Sequence, residues 1–107
     1  MAHKVVFRPA AAADLVSIYD YIAEKSGFER ALGYIGRIEA ACMDLASFPE
    51  RGTRHDDLAP GIRIIGFERS ATIAFRVEGK TVRIVRVFYG GRDVENLLKG
   101  EQDDEDE

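Results

Sequence analysis

The side chains best suited to chemistry sit in three short stretches. Residues 89–93 read Y-G-G-R-D, a phenol and a guanidinium separated by two glycines. Glycine lets a backbone run close to another molecule, and the planar guanidinium suits paired hydrogen bonds to an anion. Tyr89 and Arg92 are therefore candidate contacts to a target; the plainer alternatives are that Arg92 pairs with Asp93 and that Tyr89 caps the core. His55, Asp56 and Asp57 offer three metal-ligand types in a row. Adjacent loop residues seldom converge on one ion, and the only other histidine is His3, so no metal is expected and the stretch reads as a loop that caps and turns. Cys42, the single thiol, falls on an apolar helical seam with no cation at helical spacing to lower its pKa. That makes it a core group and not a nucleophile. No cofactor is implied.

The elements that must hold these residues are legible from periodicity. Residues 82–89 form a β-branched and aromatic strand that is apolar on both alternation sets, with Val82, Ile84 and Phe88 expected on one face and Val85, Val87 and Tyr89 on the other. Residues 3–8 make a short strand stopped by Pro9, whose ring holds Arg8 extended and opens a helix of about 17 residues ending near Gly27. Leu15, Ile18, Tyr19 and Ile22 give that helix its apolar stripe. Ala31, Ile35, Ile38, Cys42 and Leu45 give a second helix, ending before Pro49, the seam of an antiparallel partner. Strands at 62–67, 72–77 and 81–89 follow, joined by hairpin turns, and Asp93 is expected to cap a last helical turn through Val94, Leu97 and Leu98.

The order β-α-α-β-β-β is that of an α+β domain, with a helical hairpin packed on one face of a small, mostly antiparallel sheet. It should occupy residues 1–100, with 101–107 as an acidic tail. Two helices cover one sheet face, so the other, apolar and rimmed by arginine, is expected to be completed by a protein partner.

Charge agrees with that division. The net charge of the 107 residues is −4, but six of the 19 acidic side chains lie in residues 101–107, leaving 15 basic against 13 acidic in residues 1–100. Between residues 51 and 92 the ratio is nine to four. A cationic half of this kind suits an acidic protein segment or nucleic acid, and the tail itself is expected to lie loosely against it. One cysteine excludes an internal disulfide framework, and no stretch approaches the ~18 apolar residues of a membrane span or has the pattern of a signal peptide. A soluble, cytoplasmic protein is the expectation.

Several segments together carry a resemblance. F-R-P-A-A-A-A-D-L, I-Y-D-Y-I-A, Cys42 with L-A-S-F-P-E-R-G, D-L-A-P-G-I-R, A-F-R-V, R-I-V-R-V-F-Y-G-G-R-D and the final L-L, in this order across residues 5–98, resemble the ParE toxins of the RelE/ParE superfamily. The resemblance implies the toxin half of a bacterial type II toxin–antitoxin module. Its implied partner is a ParD-like antitoxin, a ribbon-helix-helix dimer whose C-terminal segment wraps the toxin. Under that reading Arg63, Ile65, Phe67, Arg76, Arg83, Val85 and Arg86 are the expected antitoxin contacts. RelE-like members cut messenger RNA on the ribosome with strand cations and a late tyrosine. Here Arg63 and Arg92 match two of the five positions, while Ile65, Thr72 and Leu98 stand at the other three and can neither hold phosphate charge nor move a proton. The expectation is thus no catalytic residue, no direct DNA binding by the toxin alone, and inhibition of DNA gyrase by binding. A ribosome-dependent endoribonuclease using Arg63 and Arg92 is the alternative.

Overall fold

The computed structural model describes residues 3–90. Arg92, the helical turn expected from Asp93 to Leu98, and the acidic tail fall outside the described residues.

Strand β1 (Lys4–Phe7) leads into helix α1 (Pro9–Ser26), which turns at Gly27 into α2 (Phe28–Asp44). Four strands follow: β2 (Thr53–Arg54), β3 (Ile62–Phe67), β4 (Ala71–Glu78) and β5 (Thr81–Tyr89). They form one five-stranded sheet in the order β1-β5-β4-β3-β2, in which only the β1–β5 pair is parallel. The expected α+β architecture is the one found, with β2 as an added edge strand in what reads from sequence as loop. Arg8 is extended at φ −65° and ψ 154°, as a residue before proline must be, and Pro9 opens α1. At the other junction Gly27 sits at φ 97°, where it ends one helix and starts the next without a Cβ penalty.

The two helices bury Ala11, Leu15, Ile18 and Ile22 from α1 and Ala31, Tyr34, Ile38 and Cys42 from α2 against Ile73, Phe75, Val82, Ile84 and Val87 of the sheet. Full burial of a side chain such as Ile38 contributes about 1.5–3 kcal/mol. Ile35, expected on the seam, is only half-buried, and Tyr34 takes the inward place.

Strand β5 departs from simple alternation. Ile84 opposes Phe75 and Arg86 opposes Ala74, so Val85 has no partner in β4 and forms a bulge. The extra residue shifts the side-chain phase. Val82, Ile84, Val87 and Tyr89 all pack toward the helices, whereas Val85 and Phe88 belong to a separate cluster with Leu58, Ala59, Ile62 and Ala74. The expected partition, with Phe88 beside Val82 and Tyr89 beside Val85, is therefore corrected. So is the expectation of an uncovered second face. The loop of residues 55–61 carries Leu58 and Ala59 into the cluster, and Val85 and Phe88 are 0% and 1% exposed. Asp56 holds that loop closed by accepting the Gly61 N–H at 2.8 Å, and Arg76 Nε donates to the Pro60 carbonyl at 3.1 Å. Gly52, at φ 82°, lets β2 approach β3; a Cβ there would collide with the Ile64 carbonyl.

Cys42 is fully buried on the α2 seam, and burial together with the Glu39 charge pushes its thiol up to about 12. At pH 8 that leaves about one molecule in ten thousand as thiolate. Iodoacetamide at pH 8 is therefore expected to leave Cys42 unmodified in the folded protein and to alkylate it once denaturant is added. Rapid labelling of the native chain would contradict the packing.

Candidate functional site

Two surfaces combine shape with chemistry. The first is an apolar groove between the helices, with a volume of about 420 Å³, lined by Phe7, Ala12, Leu15, Val16, Tyr19, Ile35 and Glu39. Phe7 of β1 contributes to its floor and packs against the helical core. Val16 on α1 is 61% exposed and Leu32, one turn before Ile35 on α2, is 56% exposed. Large apolar side chains at that exposure on neighbouring helices mark a surface suited to an apolar partner.

The second surface surrounds Tyr89 at the end of β5. Its ring meets the edge of Tyr21 from α1 at 5.8 Å and of Tyr34 from α2 at 5.6 Å, and Tyr34 meets Phe67 of β3 at 5.6 Å. Lys25 lies over Tyr21 and Arg37 over Tyr34, each at 5.6 Å. Four rings and two cations thus form a continuous wall, in which each edge-to-face pair contributes about 0.5–1.5 kcal/mol beyond area burial. Beside it opens a cavity of about 460 Å³, lined by Asp14, Ser17, Ile18, Tyr21, Arg86, Val87, Tyr89 and Gly90.

The cavity floor is an ion pair. Asp14 accepts from Arg86 Nε at 2.7 Å and Nη2 at 2.8 Å, and also from the backbone N–H of Val87 at 2.8 Å. The two side chains are only 15% and 11% exposed, and removing one partner of such a pair costs about 3–5 kcal/mol. From sequence, Asp14 is expected to favour the first turn of this helix through the dipole; in the structure the first turn holds no acid, and Asp14 is the sixth residue of α1. Its contact with β5 spans 72 residues and leaves no local signal.

The β3–β4 turn frames the wall from the other side. Glu68 and Arg69 both adopt left-handed backbone, at φ 49° and 59°, the geometry of a tight hairpin turn usually given to Asn-Gly. Each non-glycine residue there costs about 1–2 kcal/mol. The Glu68 carboxylate is gripped by Arg37 through two hydrogen bonds, at 2.8 and 3.0 Å, which offsets part of that cost. Ser70 shares a 2.7 Å hydrogen bond with the Tyr34 hydroxyl, and its carbonyl accepts from Gly90 N–H at 2.9 Å. Burial raises the Tyr34 phenol above its ordinary value.

The strand residues expected to meet a partner are dispersed. Ile65 and Phe67 pack toward the helices, while Val85 lies buried on the opposite side. Arg63 donates to the carbonyls of Glu50 and Arg51 and so ties down the connection after α2. Arg76 and Arg83 face each other across β4 and β5, a like-charge pair made tolerable by the Pro60 carbonyl and by Glu78, whose carboxylate lies 3.0 Å from Arg83. Of the expected set, the cavity brings together Arg86 and Tyr89. Tyr34 was legible, since it lies three residues after Ala31 and four before Ile38, but the seam reading passes over it. His55 approaches Asp57 at 4.0 Å while Asp56 turns away to cap Gly61, so the triplet diverges. Among the described residues no cluster of His, Cys, Asp and Glu is placed to hold a metal, and no helix is long and apolar enough to cross a membrane.

The hydrogen bond from Arg37 holds the Glu68 carboxyl below its ordinary value. A carboxyl lowered by folding adds stability that is complete above its unfolded value, near 4.3, and is lost as pH falls through the folded value. An NMR titration is expected to place the Glu68 midpoint below ~4.3, and Arg37→Ala should return it there. An unchanged midpoint in that variant would assign the shift to another group.

Comparison with known proteins adds family-level findings. A sequence profile described as the ParE toxin of the type II toxin-antitoxin system parDE matches residues 5–94. Toxin ParE1 of Mycobacterium tuberculosis is 31% identical over 99 residues, covering 92% of this chain and 100% of that protein. Toxin ParE3 of Caulobacter vibrioides is 30% identical over 77 residues, covering 72% and 76% respectively. In structure, a chain of the chromosomal ParDE toxin–antitoxin system from P. aeruginosa superimposes with a TM-score of 0.73 at 30% identity, covering 83% of this chain and 97% of that one. A chain of the RelBE2 toxin–antitoxin complex of Mycobacterium tuberculosis shares the fold at a TM-score of 0.60 and 18% identity, covering 83% and 99%.

Proposed function

We infer that this chain, which belongs to the ParE toxin family of type II toxin–antitoxin systems, acts by binding DNA gyrase in the cytoplasm and carries out no chemistry of its own. The observation that carries this reading is that five of its arginines are engaged within the chain. Arg37 is held by Glu68, Arg83 by Glu78 and Arg86 by Asp14, while Arg63 and Arg76 donate to backbone carbonyls. Ribonucleolytic cleavage needs preorganised cations aimed at a phosphate. Guanidinium groups already engaged within the chain serve architecture, and Ile65 is packed toward the helical core. What remains on offer near Tyr89 is an aromatic wall with a polar cavity, a composition typical of protein–protein hot spots. Tyr89 is the proposed centre of the target contact, with Arg92 beyond it in the chain.

The antitoxin is read as ParD-like, and its toxin-wrapping segment as an amphipathic helix seated in the groove between α1 and α2. Helix-in-groove recognition needs an apolar trough with an exposed anchor on it; Phe7, Leu15 and Ile35 line the trough and Val16 is the exposed anchor. Arg63, Arg76 and Arg83, held by acceptors within the chain and outside the groove lining, are not assigned to this contact. Ile65, Phe67 and Val85 act from beneath, by shaping the sheet.

Purified toxin is expected to inhibit gyrase supercoiling and to accumulate cleaved DNA complexes. Normal supercoiling, together with codon-specific messenger cleavage that Arg92→Ala abolishes, would move the chain to the ribonuclease side of the superfamily. The groove has its own test. Val16→Asp should weaken antitoxin binding by about 2 kcal/mol or more, measured by calorimetry, and leave toxicity intact. Unchanged affinity would place the antitoxin elsewhere.

A further inference from the structure

We propose that Asp14 is a positioning residue for the target-facing end of the toxin, setting the side of the sheet on which Tyr89 emerges. The proposal rests on the reading that Tyr89 meets the target.

The bulge sets up the argument. In a regular strand, residues 85, 87 and 89 share a face. Inserting Val85 without a partner reverses the phase, so that Val87 and Tyr89 join Val82 and Ile84 on the helix side. Only in that phase can Tyr89 stack against Tyr21 and Tyr34. A bulge leaves ladder groups unpaired and needs something to hold it. Asp14 reaches across from α1 and takes the two residues that follow the inserted one, Arg86 through its side chain and Val87 through its backbone N–H. One carboxylate therefore locks the shifted register to the helix that carries Tyr21.

The experiment uses Asp14→Asn in the full-length chain. A second variant, Asp14→Ala with Arg86→Met, removes both charges so that no unpaired ion is left buried. Each is checked for folding by circular dichroism, and contacts of the Tyr89 ring with Tyr21 and Tyr34 are read as nuclear Overhauser effects alongside hydrogen exchange at the Val87 amide. Loss of those contacts, faster Val87 exchange and an approximately tenfold rise in the expression level needed to arrest growth are expected, with antitoxin affinity within about threefold of the parent. Unchanged Tyr89 contacts and Val87 protection in a folded variant overturn the proposal. Lost contacts with undiminished toxicity sustain the positioning role and overturn the target reading instead; Tyr89→Ala should then be equally toxic.

Discussion

A strand that is apolar on both sides must be covered on both sides, and in this domain that strand is β5. Its neighbours in the sheet are β1 and β4, its inner side chains pack on the helical hairpin, and its outer ones are sealed by a loop. The bulge at Val85 reconciles these demands, because it lets one strand feed two cores whose phases do not match. Asp14 completes the arrangement by joining α1 to the strand at the point where the ladder is interrupted. The ion pair is thus as much a register device as an electrostatic one. Hydrogen bonds made by a charged acceptor are stronger than neutral ones, which suits a contact that must decide between two registers.

Local sequence carried most of the architecture. Pro9 and Gly27 bound α1 where expected, the apolar spacings predict both helices, and the short connections around Glu68 and Gly79 predict the hairpins. Each of these rests on interactions between residues close in the chain. What failed to show was long-range. The side-chain phase of residues 85–89 follows from a pairing with β4, which no alternation count within one strand reveals. Leu58 and Ala59 look like ordinary loop residues until the loop is seen to fold over the sheet. Asp14 and Arg86 looked like a helix-dipole acid and a surface cation, and only the tertiary structure brings them together. At the site, Tyr89 was singled out for its chemistry. Its ring neighbours Tyr21 and Tyr34 belong to two helices whose crossing fixes their approach, and neither helix alone predicts it.

The cationic half of the sequence also takes a different meaning in three dimensions. Counted along the chain, residues 51–92 invite an anionic ligand. In the fold, Asp14 of α1 comes to Arg86 and Glu78 of β4 to Arg83, and backbone carbonyls take Arg63 and Arg76. A sequence can therefore be locally basic while its surface chemistry is governed by aromatic rings and apolar grooves.

The parallel pairing of β1 with β5 also bears on how the chain comes into being. Lys4 is aligned with Thr81, so the first strand's only ladder partner follows every other described element in order of synthesis. Helices can form early from local contacts, whereas a pairing of such long sequence separation is slow and comes late. The floor of the helical groove and the wall around Tyr89 both depend on β5 being in place. A partly made chain therefore lacks both surfaces until β1 and β5 have paired and the sheet has closed.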